Sequence, residues 1–150
     1  MELEKEIYQT TGFKNDYHKI VVNLIYSYSW VTGLVKERLN KKEVTLQQYN
    51  ILRILRGQYP NPATINLLKE RMLDKMSDAS RIVERLVQKE LVTRCINKND
   101  RRAVDILITE KGLEVLQSLD PIVTPEDVLR TNLTDVEAAQ LNSLLDKLRG

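Results

Sequence analysis

A single cysteine, Cys95, and a single histidine, His18, set the first limits on this chain of 150 residues. With one cysteine no intrachain disulfide can form, so the chain suits a reducing compartment. No group of cysteine, histidine and carboxylates has metal-ligand spacing, so no metal site is expected and His18 reads as an ordinary helix histidine. The same scarcity leaves no nucleophile-and-base set that the sequence supports, so neither an enzyme nor a cofactor is expected. No apolar run approaches the ~20 residues of a membrane span. The start, Met-Glu-Leu-Glu-Lys-Glu, is charged where a signal peptide is apolar. A cytoplasmic location and no membrane partner are the expectations.

A strong excess of either charge is lacking too, since 23 Lys and Arg face 21 Asp and Glu for a net +2. That balance says little about partners; where the charge sits says more. Arg81 to Arg102 holds seven basic and three acidic residues, a net +4, so the rest of the chain sums to −2. Hydrophobic residues at 42% and charged residues at 29% are ordinary for a globular chain. There is no internal repeat and no low-complexity tract, and the length suits one domain with its own core.

Residues 1–12 are polar and end at Gly12, so contact with another body is the expected source of any order there. From Asn15 or Asp16, either a suitable N-cap, an amphipathic pattern runs through Tyr17, Ile20, Val21, Leu24, Ile25, Tyr28, Val31, Val35 and Leu39. It predicts a first helix of six or seven turns. Ile25, Tyr26 and Trp30 widen its apolar stripe beyond what one neighbour needs, which points to a subunit interface. After the polar break Lys41-Lys42-Glu43, Thr45-Leu-Gln-Gln48 reads as a capping box. The second helix should run to about Arg56, with Gly57 at its stop and Pro60 and Pro62 barring continuation.

A third, short helix should start at Thr64 and use Ile65, Leu68 and Met72, and a fourth should follow Ser77 as N-cap and reach about Lys89. Ala79, Ile82, Val83 and Leu86 give the fourth helix one buried face. Two short helices joined by a few residues, the second more basic, form a helix-turn-helix layout. The pattern then becomes a hairpin, Val92 to Ile96 and Val104, Ile106 and Ile108, around the polar tip Lys98-Asn99-Asp100-Arg101-Arg102. A helix running into a basic hairpin is the arrangement of a winged helix. Thr109 should cap a fifth helix through Leu113, Leu116 and Leu119, interrupted by Pro121 and Pro125, with a short turn of helix over Pro125 to Leu129. Thr134-Asp-Val-Glu137 is a second capping box, and Val136, Leu141, Leu144, Leu145 and Leu148 stripe the last helix. The fold class is mainly α (α+β).

Lys75, Ser77, Asp78, Ser80 and Arg81 cluster at the end of the fourth helix that meets base edges in a helix-turn-helix. Arginine can bond guanine twice, and serine serves base or phosphate. Asp78 is a cost beside phosphates and suits capping the helix or accepting from cytosine. At the hairpin tip Lys98, Arg101 and Arg102 can lie along a backbone or enter a minor groove, with Asp100 holding Arg102 extended. Thr64, opening the third helix, completes the candidate DNA-binding residues. A solvated helix face and an ordinary polar turn are the bland alternatives, weakened by the two features occurring together.

Leu68-Lys-Glu-Arg-Met72, Ser77 to Arg81, Val83-Glu-Arg-Leu86, Leu91-Val-Thr-Arg94, Asp100-Arg-Arg102 and Ile108-Thr-Glu-Lys-Gly112 resemble the winged helix-turn-helix of the MarR family of bacterial transcription regulators. The resemblance implies a homodimer that binds a pseudo-palindromic operator in duplex DNA, a repressor relieved by a small-molecule effector. It implies one domain over 1–150, with 1–40 and 110–150 as dimerisation helices and 45–109 as the DNA-binding lobe. Ser77, Ser80 and Arg81 then fall on the recognition helix, and Asp100 and Arg102 on the Asp-x-Arg pair of the wing. Glu90 stands where the family usually has glycine, Asp74 where a small apolar residue is common, and Pro121 and Pro125 in what is usually one long helix. The competing reading is a winged-helix protein-interaction module that does not bind DNA. Cys95, in a wing strand, is not placed as a redox sensor. Tyr17, Tyr26, Tyr28, Trp30 and Tyr49 suit core and interface packing more than an aromatic effector cleft, with Arg53 the nearby charge for a carboxylate.

Overall fold

The computed structural model describes residues 2–97 and 104–150. Two compact units make up the chain, residues 1–34 and residues 35–150. The elements in order are α1 (Leu3–Glu6), α2 (Asp16–Asn40), α3 (Leu46–Gln58), β1 (Ala63–Thr64), α4 (Ile65–Arg71), α5 (Ala79–Gln88), β2 (Val92–Ile96), β3 (Val104–Ile108), α6 (Glu110–Leu119), α7 (Pro125–Asn132) and α8 (Asp135–Arg149).

The first unit holds α1 and the first turns of α2. Asn15 starts α2, its Oδ1 accepting from the backbone N–H of His18 at 2.9 Å. The polar segment before it makes contacts with the start of α2. Lys19 pairs with Glu4 at 2.6 Å, and its ammonium lies 5.8 Å from the ring centroid of Phe13. Their hydrogen bond lowers the pKa of Glu4 and raises that of Lys19. The remaining face of α2 in this unit is apolar and uncovered: Tyr17, Val21, Ile25 and Tyr28 are all exposed.

The second unit is built on one core. Val35 and Leu39 from the end of α2 join Ile51, Leu52 and Leu55 of α3, Leu68 of α4, Val83 and Leu86 of α5, Ile106 of β3, and Leu116 and Leu119 of α6. Each such side chain contributes roughly 1.5–3 kcal/mol on burial. The three strands form an antiparallel sheet in the order β1-β3-β2. Val92 pairs with Ile108 and Ile96 with Val104. Only Val92 of β2 is buried, so the hairpin leaves the body as a wing. β1, which pairs Ala63 with Ile106 and Thr64 with Asp105, was not expected. A two-residue strand has no periodicity to read.

Capping decides most helix starts. Thr45 accepts from the N–H of Gln48 while Gln48 reaches back, and Thr134 and Glu137 do the same at α8. α3 passes through Gly57 instead of stopping there and ends at Gln58, with Tyr59 extended at ψ 135° ahead of Pro60. α6 does end before Pro121, at Leu119. Pro125 then opens α7, which continues to Asn132, well past the short turn expected.

At its end α5 turns without glycine. Glu90 adopts φ +61°, its N–H bonds to the carbonyl of Val87, and that of Leu91 to Leu86. This is a Schellman motif with Glu90 in the left-handed position, and the buried pair Leu86 and Leu91 seals it. Glu43, φ +53°, ends α2 in the same way, with Val44 bonding back to Leu39.

Candidate nucleic-acid interface

α4, the turn Met72–Ser77 and α5 form the helix-turn-helix. α5 has one wholly buried face of Ala79, Val83 and Leu86, which turns Ser80, Arg81, Glu84 and Arg85 outward, all exposed. The cap of α5 is Asp78, not Ser77 as expected: its Oδ1 accepts from the N–H of Arg81 at 3.1 Å. A carboxylate there also complements the helix dipole. Ser77 instead donates its hydroxyl to Asp74 Oδ2 at 2.7 Å.

Asp74 knits the turn together. Besides Ser77 it accepts from the N–H of Met76 at 3.1 Å and from Gln47 Nε2 at 3.5 Å. The Ser77 hydroxyl, followed by the Met76 N–H, holds the Asp74 carboxyl below its ordinary pKa. Leu73 and Met76 stand out from the same turn, 86% and 94% exposed.

Thr64 caps α4, its Oγ1 accepting from the N–H of Leu67 at 3.2 Å. Lys75 is exposed, and its ammonium donates to the Glu70 carbonyl at 2.5 Å, closing the end of α4. Both therefore do local work on the element that carries the reading surface. Ser77, Asp78, Arg81 and Arg85 of α5 and its approach, with Thr45 and Gln47 of α3, line a groove of about 300 Å³. Arg85 escaped the sequence reading. Its spacing of four from Arg81, on the same helix face, was the available signal.

Lys98, Asp100, Arg101 and Arg102 lie outside the described residues. Of the hairpin below them, Asn97 Nδ2 donates to Asp105 Oδ1 at 2.9 Å, and Arg94 is exposed on β2. Tyr49 is buried in the core and Arg53 lies over its ring at 5.7 Å.

A helix-turn-helix followed by a projecting hairpin, which β1 completes into a three-stranded sheet, defines a winged-helix protein. Comparison with known proteins agrees. The MarR family model matches residues 44–104. The uncharacterized HTH-type transcriptional regulator YpoP of Bacillus subtilis (strain 168) is 36% identical over 108 residues, 71% of this chain and 75% of that protein. The apo form of wild-type MarR from E. coli is 29% identical, with a TM-score of 0.66, over 84% of this chain and 94% of that one. A cysteine-to-serine variant of MarR from E. coli complexed with operator DNA is 27% identical, with a TM-score of 0.74, over 99% of both chains. The chain belongs to the MarR family, and it is a DNA-binding transcriptional regulator, not an enzyme. No helix among the described residues is long and apolar enough to cross a membrane.

Proposed function

We propose that the protein is a homodimeric repressor that reads a pseudo-palindromic operator by placing α5 in the major groove. Ser77, Ser80 and Arg81 meet base edges, and Lys75 and Thr64 lie toward the backbone. Lys98, Asp100, Arg101 and Arg102 at the wing contact backbone or minor groove. The observation that carries this reading is the division of α5: Ala79, Val83 and Leu86 are buried while Ser80 and Arg81 of its first turn are exposed. A polar first turn held rigid by a buried opposite face is what base reading requires.

Dimerisation through residues 1–40 and 110–150 is supported by two uncovered apolar faces. Tyr17 and Tyr28 on α2 are 82% and 64% exposed, and Val136 and Leu144 on α8 are 67% and 63% exposed. Stripes of this kind on amphipathic helices are buried against a partner in stable proteins. Twofold symmetry sets the half-sites about one helical turn apart, ~34 Å. Release by a small aromatic effector and residence in the bacterial cytoplasm complete the proposal.

A gel shift on the intergenic DNA upstream of the protein's own coding sequence, at 0.1 M salt, tests it. Retardation of that duplex over a scrambled one, by a species that light scattering sizes as a dimer, supports the proposal. Equal retardation of both duplexes, or a monomer at micromolar concentration, contradicts it.

A further inference from the structure

We propose that Asp74 sets part of the base preference of this protein by taking the hydroxyl proton of Ser77. Ser77 then meets DNA as an acceptor only and selects an amino-bearing base, adenine or cytosine. This rests on the reading of α5 as the recognition helix.

A serine hydroxyl has one proton to give and two lone pairs to receive with. In solution it rotates, so serine serves either role toward a base. Ser77 has no such freedom. Its Oγ lies 2.7 Å from Asp74 Oδ2, and an ionised carboxylate only accepts, so the proton lies between them. The Asp74 carboxylate is itself fixed, with Oδ1 receiving the Met76 N–H at 3.1 Å and Oδ2 within 3.5 Å of Gln47 Nε2. The bond that fills Asp74 also favours its ionised form.

What remains on Ser77 Oγ is lone-pair density, in a half-buried side chain that lines the same groove as Arg81. Phosphate oxygens, guanine O6 and N7 and thymine O4 are acceptors and repel it. The adenine N6 and cytosine N4 amino groups donate to it. Asp74 thus weakens general attraction to a polyanion and gives direction to one contact. It is a positioning residue that acts through Ser77.

Asp74→Asn inverts that direction while keeping the shape. The amide oxygen continues to accept from the Met76 N–H, the amide nitrogen donates to Ser77 Oγ, and the serine proton is released toward the DNA. The full chain, Asp74→Asn and Ser77→Ala are each used to select duplexes from a randomised library, with folding checked by urea denaturation. The native protein should enrich adenine or cytosine on one strand at one position per half-site. Asp74→Asn should move that position alone toward thymine or guanine, by about tenfold in relative enrichment, and Ser77→Ala should leave it degenerate.

An unchanged motif in Asp74→Asn, or a Ser77→Ala motif intact at every position, overturns the inference while the proposed function stands. Failure of the native protein to select any motif overturns the proposed function and this inference with it.

Discussion

A Cβ placed on Gly112 would stand 2.3 Å from the carbonyl oxygen of Leu91 and 2.7 Å from Cγ1 of Ile108. The closeness has a cause. Thr109 caps α6, its N–H donates to Leu91 O at 3.1 Å and its hydroxyl to Glu90 O at 2.8 Å. The first turn of α6 is thereby drawn against the corner where α5 passes into the wing. Gly112→Ala should cost about 1–3 kcal/mol, as overpacking of a tight contact does, read as a lower urea midpoint. An unchanged midpoint would mean that the corner yields freely.

Glu90 occupies the left-handed position at the end of α5, φ +61°, and pairs with Lys111 at 2.8 Å. The ion pair is exposed and such pairs stabilise little, whereas a side chain in this backbone region is strained. Glu90→Gly should therefore raise the thermal midpoint, by roughly 2–4 °C. A fall would show that the pair with Lys111 outweighs the backbone.

Acid should unfold the protein by a predictable route. Asp74 is held down by the Ser77 hydroxyl, Glu90 by Lys111, Glu137 by the Thr134 N–H and hydroxyl, and Glu4 by Lys19. Each folded pKa lies below its unfolded value, so the unfolded chain binds more protons in mild acid. The stabilisation is complete above the ordinary carboxylate pKa of about 4 and is lost as pH falls through the lowered values. Urea midpoints should be level from pH 7 to about 5.5 and clearly lower at about 3. A midpoint that held at the lower pH would refute the assignment.

Arg56 grips Asp120 through both terminal guanidinium nitrogens, at 2.7 and 3.0 Å, joining the end of α3 to the end of α6 just before Pro121. The hydrogen bond to Asp120 raises the Arg56 pKa. With the two side chains 34% and 46% exposed, solvent screening limits the coupling. A double-mutant cycle with Arg56→Ala and Asp120→Ala should give about 0.2–1 kcal/mol. Arg56→Lys should recover only part of it, since an ammonium cannot reproduce the fork. Full recovery by lysine would contradict the role given to the bidentate geometry.

What could be read from the sequence was local. The capping boxes at Thr45 and Thr134, and the cap at Thr109, are set by residues three apart, and each stands where its pattern placed it. The buried faces of α5 and α6 followed from helical spacing in the same way. Features settled by distant residues stayed hidden. β1 exists because β3 offers Ala63 and Thr64 a ladder. In the candidate site, the exposure of Ser80 and Arg81 was legible from the apolar positions around them. Thr64 opens α4 where the sequence placed its start, whereas the bond from Lys75 to the Glu70 carbonyl was not legible, because it depends on a backbone group that a residue pattern does not show.

The central claim is that the first turn of α5 reads base edges, and Arg81→Ala tests it most directly. Binding of native and Arg81→Ala protein to a selected operator duplex and to a scrambled duplex of equal length is measured by fluorescence anisotropy at fixed salt. The account predicts a loss of about 1–3 kcal/mol on the operator, with relaxed preference at one position per half-site and a much smaller loss on the scrambled duplex. Equal weakening on both duplexes would contradict it, since Arg81 would then be an attraction for phosphate and not a reader of sequence.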